Sequence, residues 1–190
     1  MNENLAELYR MVEEQCKHYD KYERVFNGQT WNYHVLPVVK NSVRFARERG
    51  ADAEVVEVAA LFHDWANLVD FEKYSEVHHI ASGELAEPIL IKYGYSQEFI
   101  DKVKRCIFSH RGREVKEKIS IEEVCLADAD AMVHIENVFE IIIWRGMRGD
   151  TVEQANNFVK SKLARSFAKL SDYAKESIKE KYEAALKIFY

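Results

Sequence analysis

Residues 59–67 read AALFHDWAN, an apolar run that ends in His63 and Asp64, two ligand-capable side chains that packing alone does not require. Other histidines fall at comparable places: His34 in WNYH, His78 and His79 in EVHHIAS, and His110 at the end of QEFIDKVKRCIFSH. Asp128 and Asp130 interrupt an apolar stretch, LADADAM. Neutral imidazole and carboxylate together suit divalent manganese, iron, cobalt, nickel or zinc and leave positions open for water or substrate. A metal there would also explain acids set in apolar stretches with no salt-bridge partner nearby in sequence. Residues two apart on a helix point in different directions, so only one of Asp128 and Asp130 is expected as a direct ligand. Taken singly, each histidine is more often a hydrogen-bonded core or boundary residue than a ligand, and Asp64 a simple helix stop.

Helices must carry these residues. Two prolines and seven glycines leave few turn clusters, and apolar residues recur at intervals of three and four, which predicts an all-α chain. Residues 3 to 19 form an amphipathic first helix, and DKYERVFNGQT is a polar connection to a second, which begins near Trp31 with His34 and Pro37 in its opening turns. Gly50 closes that helix and Asp52 caps the next, AEVVEVAALFHD, apolar on almost every face and therefore central. NLVDFEKYS reads as a loop. EVHHIASGELAEPILIKYG is a helix ended by Gly94, and Ser96 caps the one that ends at His110. RGREVKEK is exposed; SIEEVCLADADAMVHIENVFEIIIW is a single helix, and two more, about 151–168 and 171–189, complete the bundle.

A chain of 190 residues with 47% hydrophobic and 31% charged residues suits one domain with a substantial core and excludes a disordered polymer. A net charge of −5 argues against stable nucleic acid binding, which leaves a basic footprint. Cys16, Cys106 and Cys125 form no CxxC pair and read as reduced thiols. The N-terminal MNENLAELYRMVEEQC is acidic, unlike a secretory signal, and no segment reaches membrane-spanning length; a cytoplasmic protein is expected. FEIIIW and ALKIFY serve either as core or as a homodimer contact.

The ordered set of His34 in WNYH, FHD after an apolar helix, and LADADAM downstream resembles the HD-domain superfamily of metal-dependent phosphohydrolases. The resemblance covers roughly residues 30 to 135 and implies an HD-type helical bundle in which His34, His63, Asp64 and Asp130 bind a metal. Asp130 is preferred because DAM matches the family's late aspartate, with Asp128 left beside the ligands. His79 and His110 match histidines of branches that hold a second ion, with the HD aspartate as the bridge; His78 is expected to turn away. In a one-metal site His79 or His110 instead contacts phosphate or donates a proton, so Asp64, His79 and His110 are the catalytic candidates. One departure stands out: some nucleotidase branches carry glutamate three residues after the HD aspartate, and here that residue is Asn67. Asp70 or Glu72 are the acids that can substitute.

Basic residues after His110 supply phosphate binding, with Arg111 first, then Arg113, Lys116 and Lys118. Trp31, Tyr33 and Trp65 flank the ligands and are candidates to stack on a base, or core. The resemblance thus implies a hydrolase of a nucleotide or other small phosphate ester, using one or two divalent transition ions. The same ligand order also resembles the superfamily's mixed-valence di-iron oxygenases. A non-catalytic nucleotide-binding HD module is the third reading.

Overall fold

A computed structural model of the protein describes residues 3–22, 29–111 and 118–189, and every regular element among them is helical. Helix α1 (Glu3–Tyr22) is followed, beyond the polar connection, by a π-helical turn, Trp31–Val35, that runs directly into α2 (Leu36–Arg49). Pro37 follows within this continuous helical stretch and has no N–H for the Tyr33 carbonyl four residues earlier, which accepts from the Asn137 side chain instead. Gly50 ends the helix at φ 71°, a left-handed conformation that glycine adopts without a Cβ clash.

Asp52 then caps α3 (Ala53–Phe62), its carboxylate accepting from the backbone N–H groups of Glu54 and Val55. Residues Val55, Val56, Val58, Ala59, Ala60, Leu61 and Phe62 of this helix are all buried. A helix apolar on all sides must be enclosed, and α3 packs against α1, α2, α7 (Gln97–Ser109) and α8 (Ile121–Glu136). Its C-terminal end, carrying His63, is consequently deep inside the bundle.

Two predicted elements differ. The segment expected as a loop forms two short helices, α4 (Trp65–Val69) and α5 (Phe71–Tyr74); Trp65, Ala66 and Leu68 are buried, and Asp70 caps α5 by accepting from Lys73 N at 3.0 Å. The long helix expected through FEIIIW breaks at Asn137, giving α8 and then α9 (Val138–Met147). Asn137 lies at φ −111°, ψ 42° and its side chain donates to the Tyr33 carbonyl, the kind of competing bond by which asparagine interrupts helices. Between them, α6 (His78–Lys92) accommodates Pro88 in its interior, Gly94 follows at φ 79°, and Ser96 caps α7.

The chain closes with α10 (Val152–Lys169), begun by a Thr151–Gln154 capping box, and α11 (Asp172–Leu186). Both pack on α8. Cys16, Cys106 and Cys125 are free and buried. No helix among the described residues is long and apolar enough to cross a membrane.

Candidate metal centre

Three histidines are set by one local device. The Nδ1 atoms of His63, His78 and His110 lie 2.8, 2.8 and 2.5 Å from the carbonyls of Ala60, Ser75 and Ile107, each three residues earlier. A carbonyl only accepts, so each Nδ1 carries the proton and each Nε2 keeps its lone pair. That is the orientation in which backbone partners hold metal-binding imidazoles.

These lone pairs converge on Asp64. Its Oδ2 lies 3.3 Å from His34 Nε2 and 3.5 Å from His63 Nε2, while Oδ1 lies 3.5 Å from His78 Nε2. His34 comes from the π-helical turn, His63 from the end of α3, His78 from the start of α6 and His110 from the end of α7. From α8, Asp130 Oδ1 approaches His34 Nε2 at 3.9 Å. Ligand atoms within 4.8 Å of one another form three overlapping groups: His34, Asp130 and His134; His34, His63 and Asp64; and Asp64, His78 and His110.

The donors fit a cation. His34 Nε2 and His63 Nε2 are 3.1 Å apart, close to the roughly 3 Å between two nitrogens held at right angles by one ion at about 2.1 Å. Without an ion, only a proton on His34 relieves the opposition of the two nitrogens. Burial works against that proton, but a hydrogen bond to Asp64 and the charges of Glu140, Asp64 and Asp130 outweigh it, raising the His34 pKa to about 9. Burial likewise opposes ionisation of Asp64 and Asp130; His63 and His34 beside Asp64, and Lys169 and His134 beside Asp130, hold both carboxyls well below the usual range. Burial, followed by the neighbouring His63, pushes His110 down to about 3. His63 and His134 are also held down, chiefly by burial.

The adjacent histidines face otherwise than expected. His78 faces Asp64 and His110, whereas His79 packs its ring on Phe108 and its Nδ1 lies 3.4 Å from Arg111. Successive helix residues diverge by about 100°, and α6 begins with His78 toward the centre. Asp128 stands apart from the ligand groups: it accepts from Ser171 N at 2.8 Å and Ser171 Oγ at 2.5 Å, and pairs with Arg49 at 3.3 Å. It anchors α11 instead of supporting a ligand. Burial raises its pKa despite these partners.

Asn67 donates to Asp64 Oδ1 at 3.1 Å, so the residue standing in place of a glutamate steadies the shared carboxylate. Asp70 caps α5 and Glu72 is exposed. Trp31 and Trp65 are core, against Tyr9 and Phe62, and Tyr33 is exposed. Arg113 and Lys116 lie outside the described residues. Lys118 is partly buried, which lowers its pKa.

Two cavities open on either side of the cluster and share Asp64, Asn67, His134 and Lys162. One, of about 590 Å³, is basic, lined by Arg111, Lys162, Arg165 and Lys169. The other, of about 230 Å³, has aromatic walls from Phe71, Trp144 and Phe158. Sequence reasoning missed Lys162, Arg165 and Lys169, which α10 brings from far along the chain. It also missed His134, although its position four residues after Asp130 puts both on one helix face.

The family model described as HD domain matches residues 32–133, more than half of the chain, and spans His34, His63, Asp64, His78, His110 and Asp130. The chain belongs to the HD domain family. Among curated proteins, this HD domain is 32% identical over 110 residues to the uncharacterised protein YpgQ of Bacillus subtilis (strain 168), covering 56% of this chain and 51% of YpgQ. It is 28% identical over 83 residues to an uncharacterised protein of Clostridium beijerinckii, covering 43% and 52%. The chain spans about half the length of the curated relatives it matches. The YpgQ crystal structure shares the fold at TM-score 0.69 with 21% identity, over 98% of this chain and 91% of that one. A predicted HD superfamily hydrolase from an uncultured Thermotogales bacterium superposes at TM-score 0.56 with 25% identity, over 84% and 91%.

Proposed function

We propose that this HD domain is a metal-dependent phosphohydrolase acting on a nucleotide or other small phosphate ester. The observation that carries the reading is the opening of the histidine–aspartate cluster onto a cavity lined by Arg111, Lys162, Arg165 and Lys169. In support, YpgQ has been crystallised in complex with ADP.

His34, His63, Asp64 and Asp130 hold one divalent ion, with His134 at hand beside Asp130; Asp64, His78 and His110 hold a second. Ions bound there supply a lowered pKa for water and neutralise phosphoryl charge. The chain contributes orientation and charge. Arg111 is tied to the Glu76 carbonyl, to the Glu76 carboxylate at 3.2 Å and to His79, which limits its freedom before it meets phosphate oxygens. Lys162, Arg165 and Lys169 line the same cavity from α10 and offset substrate charge. His79 acts through Arg111. Asn67 holds Asp64 in place, and the Nδ1–H of His63, His78 and His110 remains bound to main-chain carbonyls.

The test is phosphate or pyrophosphate release from nucleoside mono-, di- and triphosphates with manganese, iron, cobalt, nickel or zinc. Asp64→Ala should abolish it; release and metal content unchanged in that variant would refute the reading. A second reading, the mixed-valence di-iron oxygenase, draws on Asp64 facing histidines with both oxygens. It requires oxygen consumption with an organic substrate and two irons per chain.

A further inference from the structure

We infer that the aromatic-walled cavity beside the metal centre is a ring subsite, which takes a planar nitrogen heterocycle bearing an amine and is selected by Gln29. The inference rests on the phosphohydrolase reading for the position of the phosphate.

Buried polar atoms without a hydrogen-bond partner among the described residues include Gln29 Oε1 and Asn67 Oδ1; both residues line this cavity, and Asn67 lines the basic one as well. Buried polar groups are nearly always paired, so each orphan calls for a missing partner. Gln29 is only 5% exposed. Its Nε2 donates to the Glu140 carbonyl at 3.1 Å; turning the amide over would set two acceptors against each other, so the orphaned atom is the oxygen. Asn67 is fixed in the same sense, because its Nδ2 donates to Asp64. Two orphaned acceptors ask for a ligand that brings donors.

The walls specify its shape. Phe71 and Trp144 meet at 6.0 Å between ring centroids and Trp144 and Phe158 at 6.3 Å. The Arg145 guanidinium lies over Phe158 at 4.4 Å, and Arg148 over Phe71 and Trp144 at 5.2 Å each, so cations brace these rings. A flat ring gains from such surfaces, and an amine on its edge reaches Gln29 Oε1. At about 230 Å³ the cavity is smaller than the roughly 300–1,000 Å³ of sites for whole drug-sized ligands. The remainder of the substrate therefore extends past Asn67 and Lys162 into the basic cavity, where a phosphate belongs. The combination selects a nucleoside phosphate with a ring amine over a simple sugar phosphate.

The test is calorimetric binding to the metal-loaded protein, in manganese, of adenosine, guanosine and cytidine 5′-diphosphates against purine riboside 5′-diphosphate, which lacks the exocyclic amine. At least one amine-bearing probe should bind about tenfold more tightly, as expected when a buried acceptor is left unpaired by the analogue. In Gln29→Leu the ratio should fall to about twofold or less. Equal affinities in the wild-type protein, a ratio unchanged in Gln29→Leu, or no binding of any probe would overturn the subsite. Phosphate release is measured separately. Discrimination without release keeps the subsite and removes the hydrolase; release without discrimination does the reverse.

Discussion

The ammonium of Lys169 lies 2.8 Å from Asp130 Oδ2, joining α10, outside the HD match, to a carboxylate within it that is a proposed metal ligand. The pair is largely buried, with side-chain exposures of 20% and 6%. Lys169→Met should therefore leave a buried carboxylate uncompensated, at a cost of about 3–5 kcal/mol. Thermal unfolding of chelator-treated protein should show the loss, and manganese should restore more stability to the variant than to the wild type. An unshifted melting temperature would mean that the pair is immaterial.

Because His78 faces Asp64 and His79 faces Arg111, the neighbours should behave differently on mutation. Elemental mass spectrometry should find about one ion fewer per chain in His78→Ala than in wild type. His79→Ala should keep its metal and instead raise KM for a phosphate substrate, by about three- to tenfold, through a freed Arg111. Equal metal loss in both variants would count against the assignment.

Asp128 serves α11. With Ser171 N, Ser171 Oγ and Arg49 all left without their acceptor, Asp128→Ala should destabilise the fold by about 2–4 kcal/mol. Metal stoichiometry, measured on the remaining folded protein, should stay as in wild type, because Asp128 belongs to none of the ligand groups.

The metal-free protein should be most stable near the ordinary imidazole pKa of about 6.5. His34 is raised to about 9, by its hydrogen bond to Asp64 and surrounding carboxylates against burial; its contribution is complete below 6.5 and lost as pH rises through 9. His110 is depressed to about 3, chiefly by burial. The unfolded chain binds a proton at His110 that the folded chain refuses, so that contribution is complete above 6.5 and lost as pH falls toward 3. Melting temperatures across pH 4–10 in chelator should trace a maximum, and His34→Gln should remove its alkaline decline.

Periodicity identified α3 as the central helix and put an HD pair at its end, since an all-apolar surface has no stable place except inside. The ligand-capable residues at 34, 63, 64, 110 and 130 stood out as charged and imidazole groups beside apolar runs, and the resemblance to the HD superfamily chose among them. Facing was not legible. Whether His78 or His79 turned inward depended on where α6 began, and a shift of one residue rotates a side chain by about 100°. Between Asp128 and Asp130 the sequence chose by resemblance alone, and the physical reason came once α11 had docked and Ser171 claimed Asp128. The cations Lys162, Arg165 and Lys169 and the rings Phe71, Trp144 and Phe158 carry no local signature, because soluble helices bear such residues everywhere. Only the packing of α9 and α10 beside the ligands gave them a site, by bringing together residues far apart in the chain.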